Sequence, residues 1–305
     1  MRIRSDGIRS DVLLPPEDKI ALIKSQLRGL PPHWQDRLRR FSRLRWLEKS
    51  RIVRSYGVSF RAQPLLVARY VLFDPDVGDF NYELDNEHEL VDFLAGPLSV
   101  SHEAIAGYLA EIGADDELGR GLARRARWRI DMKRQIRFGH RVGWYAITRA
   151  LKPRLVVETG IKHGLGSLIL LSALKRNARE GSPGRLISFD TDPFSGWAVA
   201  EPLRESWQPI FASTFDVLDS ALAGREVDLF ICDTPPSYEI ESFEMRTAMR
   251  HASRDITLIA ANGDSTTVLP ELALELNYEY HHFVERPRRH IYPGSGFGLL
   301  AHVKR

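Results

Sequence analysis

Cysteine is nearly absent from this chain: Cys232 stands alone among 305 residues, which excludes an intramolecular disulfide and any multi-thiolate zinc site. Long apolar runs are missing too, and none approaches the roughly 20 residues that a spanning helix needs. The opening MRIRSDGIRS has no apolar core of the kind a secretory signal carries. A cytoplasmic protein without integral membrane association is the expectation. Also lacking are an internal repeat, the G-x-G-x-x-G dinucleotide fingerprint and the Gly-Lys-Ser/Thr of phosphate-binding loops. What remains is an ordinary globular composition, 43% hydrophobic and 27% charged, long enough for one large domain or two smaller ones.

Charge is blocked along the chain, and the net +3 conceals it. Residues 1–60 hold 14 Lys/Arg against 6 Asp/Glu, residues 61–120 hold 3 against 13, and residues 121–150 hold 9 against 1. The rest is close to balanced. Stretches such as RLRRFSRLRWLEKSRIVR and RRARWRIDMKRQIRFGHR combine arginine with aromatics, a pattern compatible with nucleic acid, an anionic surface or pairing with the acidic block between them. Pairing within or between subunits is the cheapest account, and a homo-oligomer is expected. No zinc-knuckle, helix-turn-helix or RNP-like motif supports nucleic acid.

The texture changes near Leu151. Upstream, Pro16–Leu30 and Trp34–Tyr56 read as basic helices, residues 70–83 as two short strands about a turn, and a helix starts near Asn86. Ser101 caps an amphipathic helix carrying Ile105, Leu109 and Ile112. A long helix follows from about Glu117 to Leu151, with a break at Gly139 or Gly143. Downstream, LVVE, RLISFD, PIFAS, VDLFICD and ITLIAAN alternate with helical stretches, and YEYHHFVE and GFGLLAHVK close the chain. Continuous apolar strands separated by helices specify a doubly wound, mostly parallel α/β sheet of seven strands, with an antiparallel end. Residues 1–134 are expected to form a mainly helical cap or oligomerisation region, and residues 135–305 the binding domain.

Ligands of such sheets lie beyond the carboxyl ends of the strands, so Glu158, Asp190, Asp233 and Asn262 are the polar groups to watch. The first turn, ETGIKHGLGS, offers glycines for close backbone approach and a helix N-terminus with unpaired N–H groups. Its spacing is G-x-x-x-G-x-G. An acid at the end of the first strand would repel a pyrophosphate and suits a ligand with a cationic amino acid end.

VVETGIKHGLGS, RLISFDTDP and VDLFICDTPPSYE resemble the first, second and fourth motifs of class I S-adenosylmethionine-dependent methyltransferases, most closely the branch of bacterial sugar and natural-product O-methyltransferases. The resemblance covers about residues 135–305. It implies S-adenosyl-L-methionine as cofactor, a Rossmann-like fold, and contacts from Glu158, Thr159, Gly160, Gly164, Ser167, Asp233, Ala212 and Ser213. Asp190 would take both ribose hydroxyls, with Ala212 and Ser213 beside the adenine.

Methyl transfer from a sulfonium is an in-line displacement, so the protein aligns the nucleophile and removes a hydroxyl's proton. Asp233 and Tyr238 are the catalytic candidates, with His163 and His290 as alternative bases. In the family this stretch often resembles Asp-x-x-His-x-Tyr, with a divalent metal such as Mg²⁺ sometimes held by the Asp and by an Asp-Asn pair after the fifth strand. Here Pro236 replaces the His and Ala261 precedes Asn262. Asp233, Asn262 and Asp264 are what is left to bind a metal. The leading expectation is methyl transfer to a hydroxyl of a small or glycosylated acceptor. Two rivals are a cofactor-binding partner without transfer activity, favoured by Pro236 and Ala261, and a nucleic-acid methyltransferase using the arginine-rich helices.

Overall fold

The computed structural model describes residues 43–57, 63–74, 81–127, 129 and 136–301. The chain divides into two compact units, Met1–Val77 and Gly78–Arg305. The helix expected at Pro16–Leu30, and the boundary expected near residue 134, fall outside the described residues.

In the first unit, α1 (Arg43–Ser55) and α2 (Pro64–Phe73) are described. The basic helix expected at Trp34–Tyr56 is α1 over its described part. Tyr70–Phe73, expected as strand, are the last turn of α2 instead. The aromatic and β-branched residues that suggest a strand here follow Pro64, which starts the helix without losing a hydrogen bond. Asp74, the residue before Pro75, turns extended (ψ 127°) and ends it. Buried Lys49 of α1 donates its Nζ to the Tyr70 carbonyl at 2.6 Å, so the two helices are tied by a satisfied cation.

The second unit opens with α3 (Glu89–Leu98), α4 (His102–Gly113) and α5 (Asp116–Ala126). Ser101 caps α4 as expected, accepting from the Ala104 N–H at 3.2 Å. The expected long helix from Glu117 to Leu151 is two helices, α5 and α6 (Arg141–Leu151). Gly139 has φ +55°, and a Cβ there would stand 2.5 Å from the Tyr82 ring, so helix cannot run through it. Gly143 lies inside α6, where its missing side chain lets Phe297 and Leu90 approach.

From there strands and helices alternate: β1 (Leu155–Thr159), α7 (Leu165–Arg179), β2 (Arg185–Asp190), α8 (Glu201–Arg204), β3 (Trp207–Phe211), α9 (Thr214–Leu222), β4 (Val227–Cys232), α10 (Tyr238–Arg250), β5 (Ala252–Ala260), α11 (Val268–Leu276), β6 (Glu279–Phe283) and β7 (Phe297–Ala301). The seven strands are ordered β3-β2-β1-β4-β5-β7-β6. β1 to β5 pair in parallel, and β7 runs antiparallel to both β5 and β6. Every residue of β1 is buried, as a central strand covered on both faces requires. One face packs Val157, Phe189, Phe230 and Leu258 against Leu218, Met245 and Leu272. The strand order reverses between β1 and β4, and the crevice at their carboxyl ends is where a ligand fits.

Part of the acidic block is neutralised within this unit. Arg149, 3% exposed, donates to Glu111 at 2.8 Å, and Arg137 pairs with Glu83 at 2.8 Å. Asp85 is taken by Arg288 at 2.6 Å. No described helix is long and apolar enough to cross a membrane.

Candidate active site

A cavity of about 650 Å³ opens at the carboxyl ends of β1, β2 and β4. One wall is the glycine turn. Gly160 has φ +88°, and a Cβ on it would lie 2.2 Å from the carbonyl of Asp233, so only glycine lets β1 and β4 close together at the switch point. Asp233 N–H donates to the Thr159 carbonyl at 2.8 Å and Gly160 N–H to the Phe189 carbonyl at 2.8 Å. Asp190 pins the turn itself: its Oδ2 accepts from the N–H groups of Ile161 (2.9 Å) and Lys162 (2.7 Å), and its Oδ1 from Asp192 N–H (2.8 Å). A carboxylate offers about four acceptor positions, so these contacts leave part of its capacity open on the cavity it lines.

Gly160, Asp190, Ala212, Ser213 and Asp233 line this one cavity, beside apolar Phe189, Phe215, Pro235 and Ile240. Volume, an apolar slot and a carboxylate at the second strand match what an adenosine moiety needs. Glu158, Thr159 and Ser167, expected to touch the cofactor, do not line it and are fully buried. Glu158 is a strut beneath the turn. Its Oε2 accepts from Ser167 Oγ at 2.5 Å and from Ser188 Oγ at 2.8 Å, while Oε1 has no partner. Burial, only partly offset by the two serines, pushes its pKa up to about 8. Thr159 donates to Glu244 at 2.7 Å, and Glu244 also accepts from Thr214 at 2.7 Å, Thr234 at 3.2 Å and the Cys232 thiol at 3.2 Å. This buried carboxylate on α10 laces β1, β4 and α9 together beneath the cavity. Gly164, also at positive φ, packs against Gly196.

The opposite wall is built by Tyr82, His140, Arg141 and Tyr292 with Asp233, Ala261 and Asn262. Arg141 is 7% exposed in its side chain and donates Nη2 to Asp233 Oδ2 at 3.2 Å. Burial is the largest influence and works against its charge, but Asp233, Tyr82 and Glu285 together hold the guanidinium's pKa above its ordinary value. Behind it, His140 Nδ1 lies 3.0 Å from Glu285 Oε2, and Tyr82 OH donates to the same oxygen at 2.7 Å. Glu285 Oε1 accepts from the N–H groups of Ser295 and Gly296 at 3.2 and 3.0 Å. Burial would raise Glu285, yet its pairing with His140 and the hydrogen bonds from Tyr82 and Gly296 hold it down at about 2. Its charge is fully met, and it orients the imidazole, whose Nε2 has no hydrogen-bond partner.

The other candidates sit apart. Tyr238 is 51% exposed and donates its hydroxyl to Glu271 at 2.6 Å, outside the cavity. His163 accepts from Trp197 Nε1 at 3.0 Å, in a small crevice beside the glycine turn. His290 Nδ1 accepts the Tyr292 N–H at 3.1 Å, and its ring lies against Tyr82. Asp264 is exposed, accepts from Ser265 Oγ at 3.4 Å and does not line the cavity. Among the described residues no three His, Cys, Asp or Glu side chains are grouped to hold a metal.

Residues 157–283 match the family model described as a methyltransferase domain. This is the stretch that carries the glycine turn, Asp190, the Ala212–Phe215 wall and Asp233. No curated protein matches the sequence. Among solved structures, a methyltransferase from Geobacter sulfurreducens is similar at 17% identity over 64% of this chain and 98% of that one, with a TM-score of 0.45. The O-methyltransferase TomG from Streptomyces achromogenes, solved with its cofactor, follows at 15% identity over 62% and 91%, TM-score 0.43. PaMTH1 from Podospora anserina is 11% identical over 62% and 88%, with a TM-score of 0.43.

Proposed function

We propose that this chain transfers a methyl group from S-adenosylmethionine to a hydroxyl of a small or glycosylated acceptor, bound on the side of Tyr82, His140 and Tyr292. The bound cofactor supplies a methyl carbon already activated by its positively charged sulfur. The chain's residues have three tasks. The turn at Gly160, pinned by Asp190, and the Ala212–Phe215 wall hold the cofactor. Tyr292, Pro236 and Asn262 bound the space for the acceptor. His140, oriented by Glu285, would take the proton of the acceptor's hydroxyl on Nε2, leaving its oxygen free to displace the neutral thioether that the cofactor would supply as leaving group.

The observation that carries this reading is that a carboxylate–imidazole pair and a carboxylate–guanidinium pair converge on the same cavity as the glycine turn. Residues 1–134 would set acceptor selectivity, and assembly into a homo-oligomer belongs to the same reading, checked by light scattering. The primary test is calorimetric titration with S-adenosylmethionine and S-adenosylhomocysteine, followed by labelled methyl transfer to phenols, sugars and nucleotide sugars. Micromolar cofactor binding with transfer to a hydroxyl supports the proposal. Absence of cofactor binding overturns it, and transfer to polynucleotide alone replaces the acceptor.

A further inference from the structure

The resemblance raises the question of a divalent ion on Asp233, and the donor set of this chain does not fit one. Mg²⁺ asks for about six oxygens in near-octahedral array. Of the three positions left for it, Asp264 lies outside the cavity and Asn262 lines it with a neutral amide only, while Ala261 has a methyl where a second acid would stand. Asp233 itself is already engaged by Arg141 Nη2 at 3.2 Å. A guanidinium cannot shed its proton to make way, and its side chain is buried and lies over the Trp144 ring, 5.3 Å from its centroid, which holds it beside Asp233. A dication placed on the same carboxylate would face that fixed charge at close range.

We infer that Arg141 is a built-in cation that stands in the place of the metal. It fixes Asp233 at the end of β4 through the Nη2–Oδ2 contact, and it gives the acceptor side of the cavity one permanent positive charge. Its Nε is buried without a partner, so the guanidinium has donor capacity to spare for an oxygen that gains negative charge as it loses its proton. The loss of the acid at Ala261 and the presence of Arg141 are then one exchange, a divalent ion for a side chain. This rests on the proposed methyl transfer, and its test does not depend on knowing the acceptor.

Mn²⁺ binding is measured on the full chain by electron paramagnetic resonance, with and without S-adenosylhomocysteine, in wild type, Asp233→Asn, and the pair Arg141→Gln with Ala261→Asp. Wild type is expected to show no saturable Mn²⁺ site that Asp233→Asn removes. The double variant is expected to bind Mn²⁺ at least about tenfold more tightly than wild type, and to lose that gain when Asp233→Asn is added. Mn²⁺ held by wild type in an Asp233-dependent way overturns the inference, whatever the double variant does. A double variant that keeps its S-adenosylhomocysteine affinity but gains no Mn²⁺ overturns it as well. Failure of wild type to bind S-adenosylhomocysteine is a different result: it removes the methyltransferase reading, and with it the role given to Arg141.

Discussion

The two walls of the cavity are built in opposite ways. The wall proposed to hold the cofactor comes from consecutive strand ends: Gly160 after β1, Asp190 at the end of β2, Ala212 and Ser213 after β3. Its geometry is set by backbone, a positive-φ glycine and a carboxylate capping N–H groups. The acceptor wall is assembled from segments far apart in the chain. Tyr82 and Glu285 are separated by 203 residues, and His140 by 145 from Glu285. Its geometry is set by side-chain charge pairs. A wall made of backbone tolerates few substitutions but performs no proton chemistry, whereas a wall of ionised side chains can vary in sequence and do so.

The largest effect that tests this contrast is expected at His140. Replacing it with Gln keeps a polar side chain of similar reach but removes the base, and general-base catalysis contributes roughly 10²–10⁴-fold. Methyl transfer should fall by about that factor, in kcat more than in KM, while S-adenosylhomocysteine affinity by calorimetry stays within about twofold. A matching loss of cofactor affinity would show that the two walls are not independent.

Gly160→Ala probes the other wall. The new Cβ would meet the Asp233 carbonyl at 2.2 Å in a backbone already at φ +88°, so the turn must move. A loss of roughly 2–4 kcal/mol of stability is expected, with cofactor binding weakened in parallel. Thermal unfolding with and without cofactor measures both, and an unchanged melting point would show that the turn yields cheaply.

These two sites also differ in how far the sequence discloses them. The sheet is legible because continuous apolar runs such as LVVE and VDLFICD alternate with helices, and the strand-end rule then singles out Asp190 and Asp233. Glu158 is found by the same rule, but the rule does not say which way a side chain faces, and Glu158 turns inward to two serines. Tyr82, His140 and Glu285 carry no local signal: each lies in an irregular stretch, and their meaning is in contacts that only the fold creates. Arg141 is hidden in an arginine-rich segment whose residues look alike until one of them is buried against Asp233.

Asp190→Ala sharpens the comparison on a smaller scale. It removes two turn N–H contacts and one to Asp192 along with the ligand position. Hydrogen bonds to a charged group are worth about 1.5–3 kcal/mol each at most, partly recovered by water at this accessible site. Cofactor affinity should fall roughly tenfold to a hundredfold, and Asp190→Asn by less. An affinity within about twofold of wild type in both variants would remove Asp190 from the cofactor site.

The smallest effect on cofactor binding is expected at Glu158, whose mark is a pH signature in stability. Burial lifts its pKa from 4.5 to about 8, so the folded state holds the proton more tightly than the unfolded chain does. The proton-linked stabilisation is therefore complete below about pH 4.5 and is lost as pH rises through about 8. Wild type should lose up to roughly 4 kcal/mol between pH 5 and pH 9 that Glu158→Gln does not lose, because the amide cannot ionise and still accepts from Ser167 and Ser188. Denaturant midpoints of both proteins at the two pH values measure the difference. If the variant and wild type shift together, Glu158 is ionised throughout and the strut beneath the turn is a charge rather than a neutral acid. Full binding of cofactor by Glu158→Gln would in addition separate this residue from direct cofactor contact and assign it to the support of the backbone wall.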